Sequence, residues 1–200
     1  MINHTNKFIF IHIPKCAGSS FEKAFKINPT KYDADILTGL PPGSDNHGWL
    51  QHCTLKQIEL DFKIDIDDFY KFTCVRNPWS RVVSSYFYES KYMRKYDYMM
   101  SFEEFVRNPK YINNQHAGLQ YEFILNSKNI PSMEFIMRQE NLQEDFNIVC
   151  DNIKIDRKRL PRINRSTHKH YTEYYDDETR GLVAEKYAKD IEYFGYEFGD

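Results

Sequence analysis

The sequence predicts an α/β fold: one three-layer domain over residues 1–200, with a mostly parallel central sheet flanked by helices. Three observations point there. A strand, loop and helix pattern occurs at residues 7–25 and recurs at 70–90. The alternation continues to the C-terminus without an internal repeat or a low-complexity tract. Hydrophobic residues make up 41% of the 200 residues, with 15 Phe and 15 Tyr, enough apolar material for one sizeable core.

Each element has a local cause. Residues 7–13 (KFIFIHI) are a short β-rich run ending at Pro14, and residues 19–25 then read as a helix. After the Pro- and Gly-rich stretch 38–48, Thr54 and Gln57 make a capping-box pattern that starts a second helix. Residues 70–75 (YKFTCV) form the next strand, and Asn77-Pro78 supplies an N-cap and a first-turn proline for a helix to about Ser90. Ser101 with Glu104 makes another capping box, 134–137 reads as a short strand, and Leu142, Phe146, Val149 and Ile153 share one helical face. A last helix starts at the acidic turn Asp176, Asp177, Glu178, carries Val183, Tyr187, Ile191 and Phe194 as a core stripe, and stops at Gly195. The long connections are 27–53 and 154–171.

Charge and cysteines narrow the function classes. Twenty-seven Lys and Arg against 29 Asp and Glu leave a formal charge of −2, so a bulk electrostatic nucleic-acid partner is not expected and any anion site must be local. No signal peptide or transmembrane segment is readable, the apolar run near the start being only residues 8–11. Cys16, Cys53, Cys74 and Cys150 are scattered, with no CxxC pair, which predicts reduced thiols and a cytoplasmic protein without a metal centre.

The loop after the first strand, HIPKCAGSS (12–20), joins a buried strand to a helix, so the backbone N–H groups of Cys16, Ala17, Gly18, Ser19 and Ser20 converge where the helix dipole is positive. Small residues let a phosphate approach the backbone, and Lys15 can reach over it. A nucleoside-triphosphate loop reads GxxxxGK[ST]; here the order is inverted, Lys15 preceding Gly18 by three residues. The second strand ends in CVRNPWSRVVSSY (74–86). Arg76 leaves its carboxyl end, where ligands bind in parallel sheets, and Ser84 follows eight residues later, two turns into the helix. A guanidinium fork and a hydroxyl suit one shared phosphate.

These segments resemble the nucleotide-binding motifs of sulfotransferases that use 3′-phosphoadenosine-5′-phosphosulfate (PAPS), in the branch that includes carbohydrate sulfotransferases. IPKCAGSSF is similar to the family's 5′-phosphosulfate loop and VRNPWSRVVSSY to its 3′-phosphate segment. The likeness continues through MRQENLQEDFNIVC (137–150), LPRINRSTHKHY (160–171) and residues 173–198. Departures are Cys16-Ala17, where the family often has Thr-Gly, and Gln139, where an aromatic is common.

The resemblance implies a P-loop-like fold and transfer of a sulfuryl group from PAPS to a hydroxyl of a carbohydrate-type acceptor, leaving adenosine 3′,5′-bisphosphate. It implies that Lys15 and the N–H groups of residues 16–20 hold the 5′-phosphate and stabilise the leaving phosphate, while Arg76 and Ser84 hold the 3′-phosphate. Sulfuryl transfer through a loose transition state depends on in-line positioning and electrostatic stabilisation, so no metal is expected. His52 resembles the histidine placed between the two motifs and is the expected base, with His47 in reserve; His12, inside the strand run, reads as a buried core residue.

Seven cations between residues 154 and 169 (Lys154, Arg157, Lys158, Arg159, Arg162, Arg165 and Lys169) face one acid, Asp156. In the family this loop folds over the nucleotide, which adds Arg165 and Ser166 to the expected 3′-phosphate site. Two other classes fit parts of the pattern: a Mg-ATP-dependent phosphotransferase and a non-catalytic nucleotide or acidic-glycan binding module.

Overall fold

The computed structural model describes residues 1–26, 36–37, 49–95, 99–112, 115–161, 163 and 168–200. The strands are β1 (Ile2–Asn3), β2 (Phe8–Ile11), β3 (Ile36–Leu37), β4 (Tyr70–Val75) and β5 (Phe135–Arg138). The helices are α1 (Gly18–Ala24), α2 (Leu55–Asp61), α3 (Pro78–Lys95), α4 (Phe102–Arg107), α5 (Pro109–Ile112), α6 (Gln120–Phe123), α7 (Leu142–Asn152), α8 (Asp177–Lys186) and α9 (Ala188–Phe194). They fall into two compact units: residues 1–75 with 122–163, and residues 76–121 with 164–200.

The first unit is built on a five-stranded sheet of order β3-β1-β2-β4-β5. Its three longer strands are parallel, Phe10 facing Phe72 and Cys74 facing Met137, while the two-residue β1 and β3 pair antiparallel at one edge. The α/β class holds, and the sheet is mixed because β1 turns straight back into β2 without a crossover helix and so runs against its two neighbours. Phe8, Phe10, Phe72, Cys74 and Met137 project from one face onto Phe21 of α1 and Phe146, Val149 and Cys150 of α7. On the opposite face Ile9, Ile11, Thr73 and Val75 are equally buried, so these strands read as continuous apolar runs. The α2 capping box forms as expected: Thr54 Oγ1 accepts from Gln57 N–H at 3.2 Å, and Gln57 Oε1 from Thr54 N–H at 2.9 Å.

The second unit is helical, with a core of Trp79, Val82 and Val83 from α3, Phe102, Phe105 and Val106 from α4, and Val183 and Tyr187. Asn77 caps α3 by accepting from the N–H groups of Trp79 (3.1 Å) and Ser80 (3.3 Å). α3 continues a turn past Ser90, whose hydroxyl bonds back to the Tyr86 carbonyl while Met93 is buried beyond it. The single last helix expected from the sequence is two: α8 ends at Lys186 and α9 begins at Ala188. The break is at Tyr187, buried with its hydroxyl donating to the Ala117 carbonyl at 2.9 Å, a long-range bond that periodicity does not register. The helix stop is where the sequence places it, with Gly195 left-handed at φ 64°.

No helix among the described residues is long and apolar enough to cross a membrane.

Candidate functional site

In the first unit the backbone turns sharply between β2 and α1. Lys15 (φ 67°) and Ala17 (φ 64°) are both left-handed, a conformation that costs a residue with a Cβ about 1 kcal/mol or more. Alternating hand along a short stretch turns successive N–H groups toward one side, the geometry of an anion-binding nest. Two of the five expected donors have partners inside the loop: Cys16 N–H bonds the Ile13 carbonyl at 3.3 Å, and Ser20 N–H the Ala17 carbonyl at 2.9 Å. Those of Ala17, Gly18 and Ser19 have no hydrogen bond among the described residues, and the side chain of Ala17, at the N-cap of α1, provides no acceptor for them.

Gly18 is required by a close approach. A Cβ at this position would lie 1.9 Å from both Cδ2 and Nε2 of His12. That edge of the imidazole therefore rests on the first residue of α1, and His12, only 6% exposed, is the buried residue the sequence suggests. His12 Nδ1 lies 2.9 Å from Glu22 Oε1, and Gln51 Nε2 donates to the same oxygen at 2.8 Å. Burial acts to raise the Glu22 pKa, but hydrogen bonds from His12 and Gln51 and the charges of His12 and His52 outweigh it, and the carboxyl sits below its usual range.

His52 closes this cluster. Its Nδ1 lies 2.9 Å from the His12 carbonyl oxygen, and the two imidazoles meet edge to face at 4.5 Å between centroids. A carbonyl only accepts, so Nδ1 carries the hydrogen and Nε2 holds the lone pair of the neutral ring. The fold thus brings His52, 37 residues beyond Lys15, to the histidine that rests on Gly18. Next to it the Cys53 thiol is pushed up to about 11 by burial and stays protonated.

The second unit holds Arg76 and Ser84. Arg76 Nε donates to Ser80 Oγ at 2.9 Å. Ser80 and Ser84 are four residues apart on α3 and share a face, so the guanidinium is pinned one turn from the Ser84 hydroxyl. The Arg76 backbone is clasped by Gln120, whose Oε1 accepts from Arg76 N–H and whose Nε2 donates to the Arg76 carbonyl, both at 2.9 Å.

Arg165, Ser166 and the reserve histidine His47 lie outside the described residues. Of the basic stretch, Arg157 pairs with Asp151 at 2.6 Å and Lys158 stands over the Phe25 ring at 5.1 Å. Among the described residues no group of three or more His, Cys, Asp or Glu is placed to hold a metal.

Glu22, Gln51, Ser80 and Gln120 were not singled out by the sequence. For Glu22 a signal exists: it lies one helical turn after Gly18 and is the only acid in α1. Gln120 offers none, being 44 residues from Arg76.

A curated protein of Archaeoglobus fulgidus, described as an uncharacterized protein, is 31% identical over 105 residues, which cover 52% of this chain and 84% of that protein. No solved structure matches this protein. The sequence profile of the Sulfotransferase family matches residues 1–197, nearly the whole length, and the chain belongs to that family.

Proposed function

We propose that this sulfotransferase moves a sulfuryl group from PAPS to a hydroxyl of a carbohydrate-type acceptor, with His52 as base. The observation that carries the reading is the His52 tautomer: its Nδ1 is committed to the His12 carbonyl, so Nε2 is the nitrogen equipped to take a proton. Family membership supports the donor. PAPS supplies the activated sulfuryl group and leaves as adenosine 3′,5′-bisphosphate.

Each residue then has a defined task. His52 Nε2 accepts the proton of the acceptor hydroxyl as it attacks sulfur. Lys15 balances the charge that develops on the departing phosphate, and the N–H groups of Ala17, Gly18 and Ser19 supplement it. The left-handed Lys15 and Ala17 keep the loop's donors in place before any anion arrives, so little reorganisation accompanies transfer. Arg76 and Ser84, beside Ser80 on the second unit, hold the 3′-phosphate. Arg165 and Ser166 are further ligands for it by family likeness.

Calorimetric titration tests the donor. Adenosine 3′,5′-bisphosphate is expected to bind without metal, more tightly than ATP with or without Mg²⁺, and Lys15→Ala to abolish turnover while the protein stays folded. Binding of Mg-ATP alone would replace this reading with a phosphotransferase, and undiminished turnover in Lys15→Ala would remove its role.

A further inference from the structure

The Arg76 backbone is held in a way that its neighbours in sequence do not account for. Arg76 follows immediately on β4, where the strand ladder has ended, and its N–H and carbonyl are both taken by one carboxamide, that of Gln120. Gln120 is fully buried, and so is Asp190, whose carboxylate accepts from the backbone N–H groups of Gln120 at 2.9 Å and Tyr121 at 2.8 Å. Asp190 thereby fixes the start of α6, and α6 delivers the Gln120 side chain to Arg76.

Such an arrangement is costly unless it serves to place something, because a carboxamide and a carboxylate have both been taken out of water. Burial raises the Asp190 carboxyl, against the pull of the Tyr121 and Gln120 N–H groups and of Arg81. The other end of Arg76 is fixed as well, by the bond from Nε to Ser80 Oγ. The backbone N–H, the backbone carbonyl and Nε of Arg76 are therefore all tied within one unit. A guanidinium held in this way gives up less conformational freedom on meeting an anion than one on a mobile loop.

We infer that Gln120, itself seated by Asp190, is a positioning residue for Arg76 and sets the preference for nucleotides bearing a 3′-phosphate. Gln120 does not touch the nucleotide; it acts through the Arg76 backbone, and Ser80 acts through the Arg76 side chain. The inference rests on the reading that Arg76 binds the 3′-phosphate.

The test compares the affinities of adenosine 3′,5′-bisphosphate and adenosine 5′-monophosphate by calorimetry in wild type, Arg76→Ala, Gln120→Met and Ser80→Ala. Arg76→Ala is expected to erase the preference, and Gln120→Met and Ser80→Ala to lower it roughly tenfold while the monophosphate affinity holds, as misplacement of a positioned group does. A merely structural role would weaken both ligands alike or lower only the unfolding temperature. If Arg76→Ala erases the preference but the other two variants leave it intact, the positioning role is overturned and the 3′-phosphate reading stands. If Arg76→Ala leaves it intact, that reading fails and this inference with it. Should Gln120→Met not fold, Gln120→Glu decides, since it keeps the side chain's length and the acceptor for Arg76 N–H but removes the donor to the Arg76 carbonyl: a lowered preference at unchanged monophosphate affinity supports the positioning role, and an intact preference overturns it.

Discussion

The ring of His12 occupies the place where a side chain at residue 18 would begin, so glycine there and histidine at the end of β2 are one requirement. The same imidazole holds Glu22 through Nδ1, and its carbonyl holds His52. One residue thus ties the loop 14–20, the first helix and the proposed base together.

Gly18→Ala is expected to destabilise the protein by about 1–3 kcal/mol, the usual cost of overpacking, because the new methyl meets a ring held by Glu22. In a His12→Ala background the same substitution should cost much less. A double-mutant cycle on urea midpoints measures the difference, and equal costs in both backgrounds would mean the ring is not what excludes a Cβ.

Ala17 sits at φ 64° where the family often has glycine, so Ala17→Gly relieves left-handed strain. The gain is offset in part by the greater freedom of glycine in the unfolded state, leaving about 0.5–1 kcal/mol of stabilisation. Thermal unfolding should show a higher midpoint, with bisphosphate affinity unchanged. A lower midpoint would show that the loop bears no strain at this residue.

His52→Ala should cut turnover about 10²- to 10⁴-fold, the range of a lost general base, while bisphosphate affinity is kept. The fall of kcat/KM toward acid pH that His52 imposes should disappear with it. Retention of that limb would assign the base elsewhere.

The Glu22 carboxyl titrates below its unfolded value, so its contribution to stability is complete above the ordinary glutamate range and is lost as pH falls through that range toward the folded value. Glu22→Gln should therefore lower stability at about pH 7 and narrow the gap to wild type near pH 4. Urea midpoints at the two pH values check the sign. A gap that widens toward acid pH would contradict it.

What could be read from the sequence was local. The β4 strand at residues 70–75 announces itself by a β-branched and aromatic run, and the Thr54 and Ser101 capping boxes by residues three apart. The loop 14–20 and the segment 76–84 are contiguous too, so each could be singled out as a candidate strand-to-helix anion motif without knowing the fold. Residues that support those motifs from a distance were not legible. Nothing in the residues around Gln120 says that its carboxamide closes on Arg76, or that Asp190, 70 residues further on, seats it.

The sequence by itself determined the α/β class and the order of the longer elements, because periodicity and caps act over a few residues; it offered two candidate phosphate motifs as contiguous segments, and His52 as a base candidate through its resemblance to a family. The tertiary structure alone decided the antiparallel edge of the sheet, the break at Tyr187, the contact of His12 with Gly18, the tautomer of His52 and the clasp on Arg76. Each of these depends on a hydrogen bond or a packing contact whose partners become neighbours only when distant segments have come together, and such a contact leaves no periodic trace in the residues that make it.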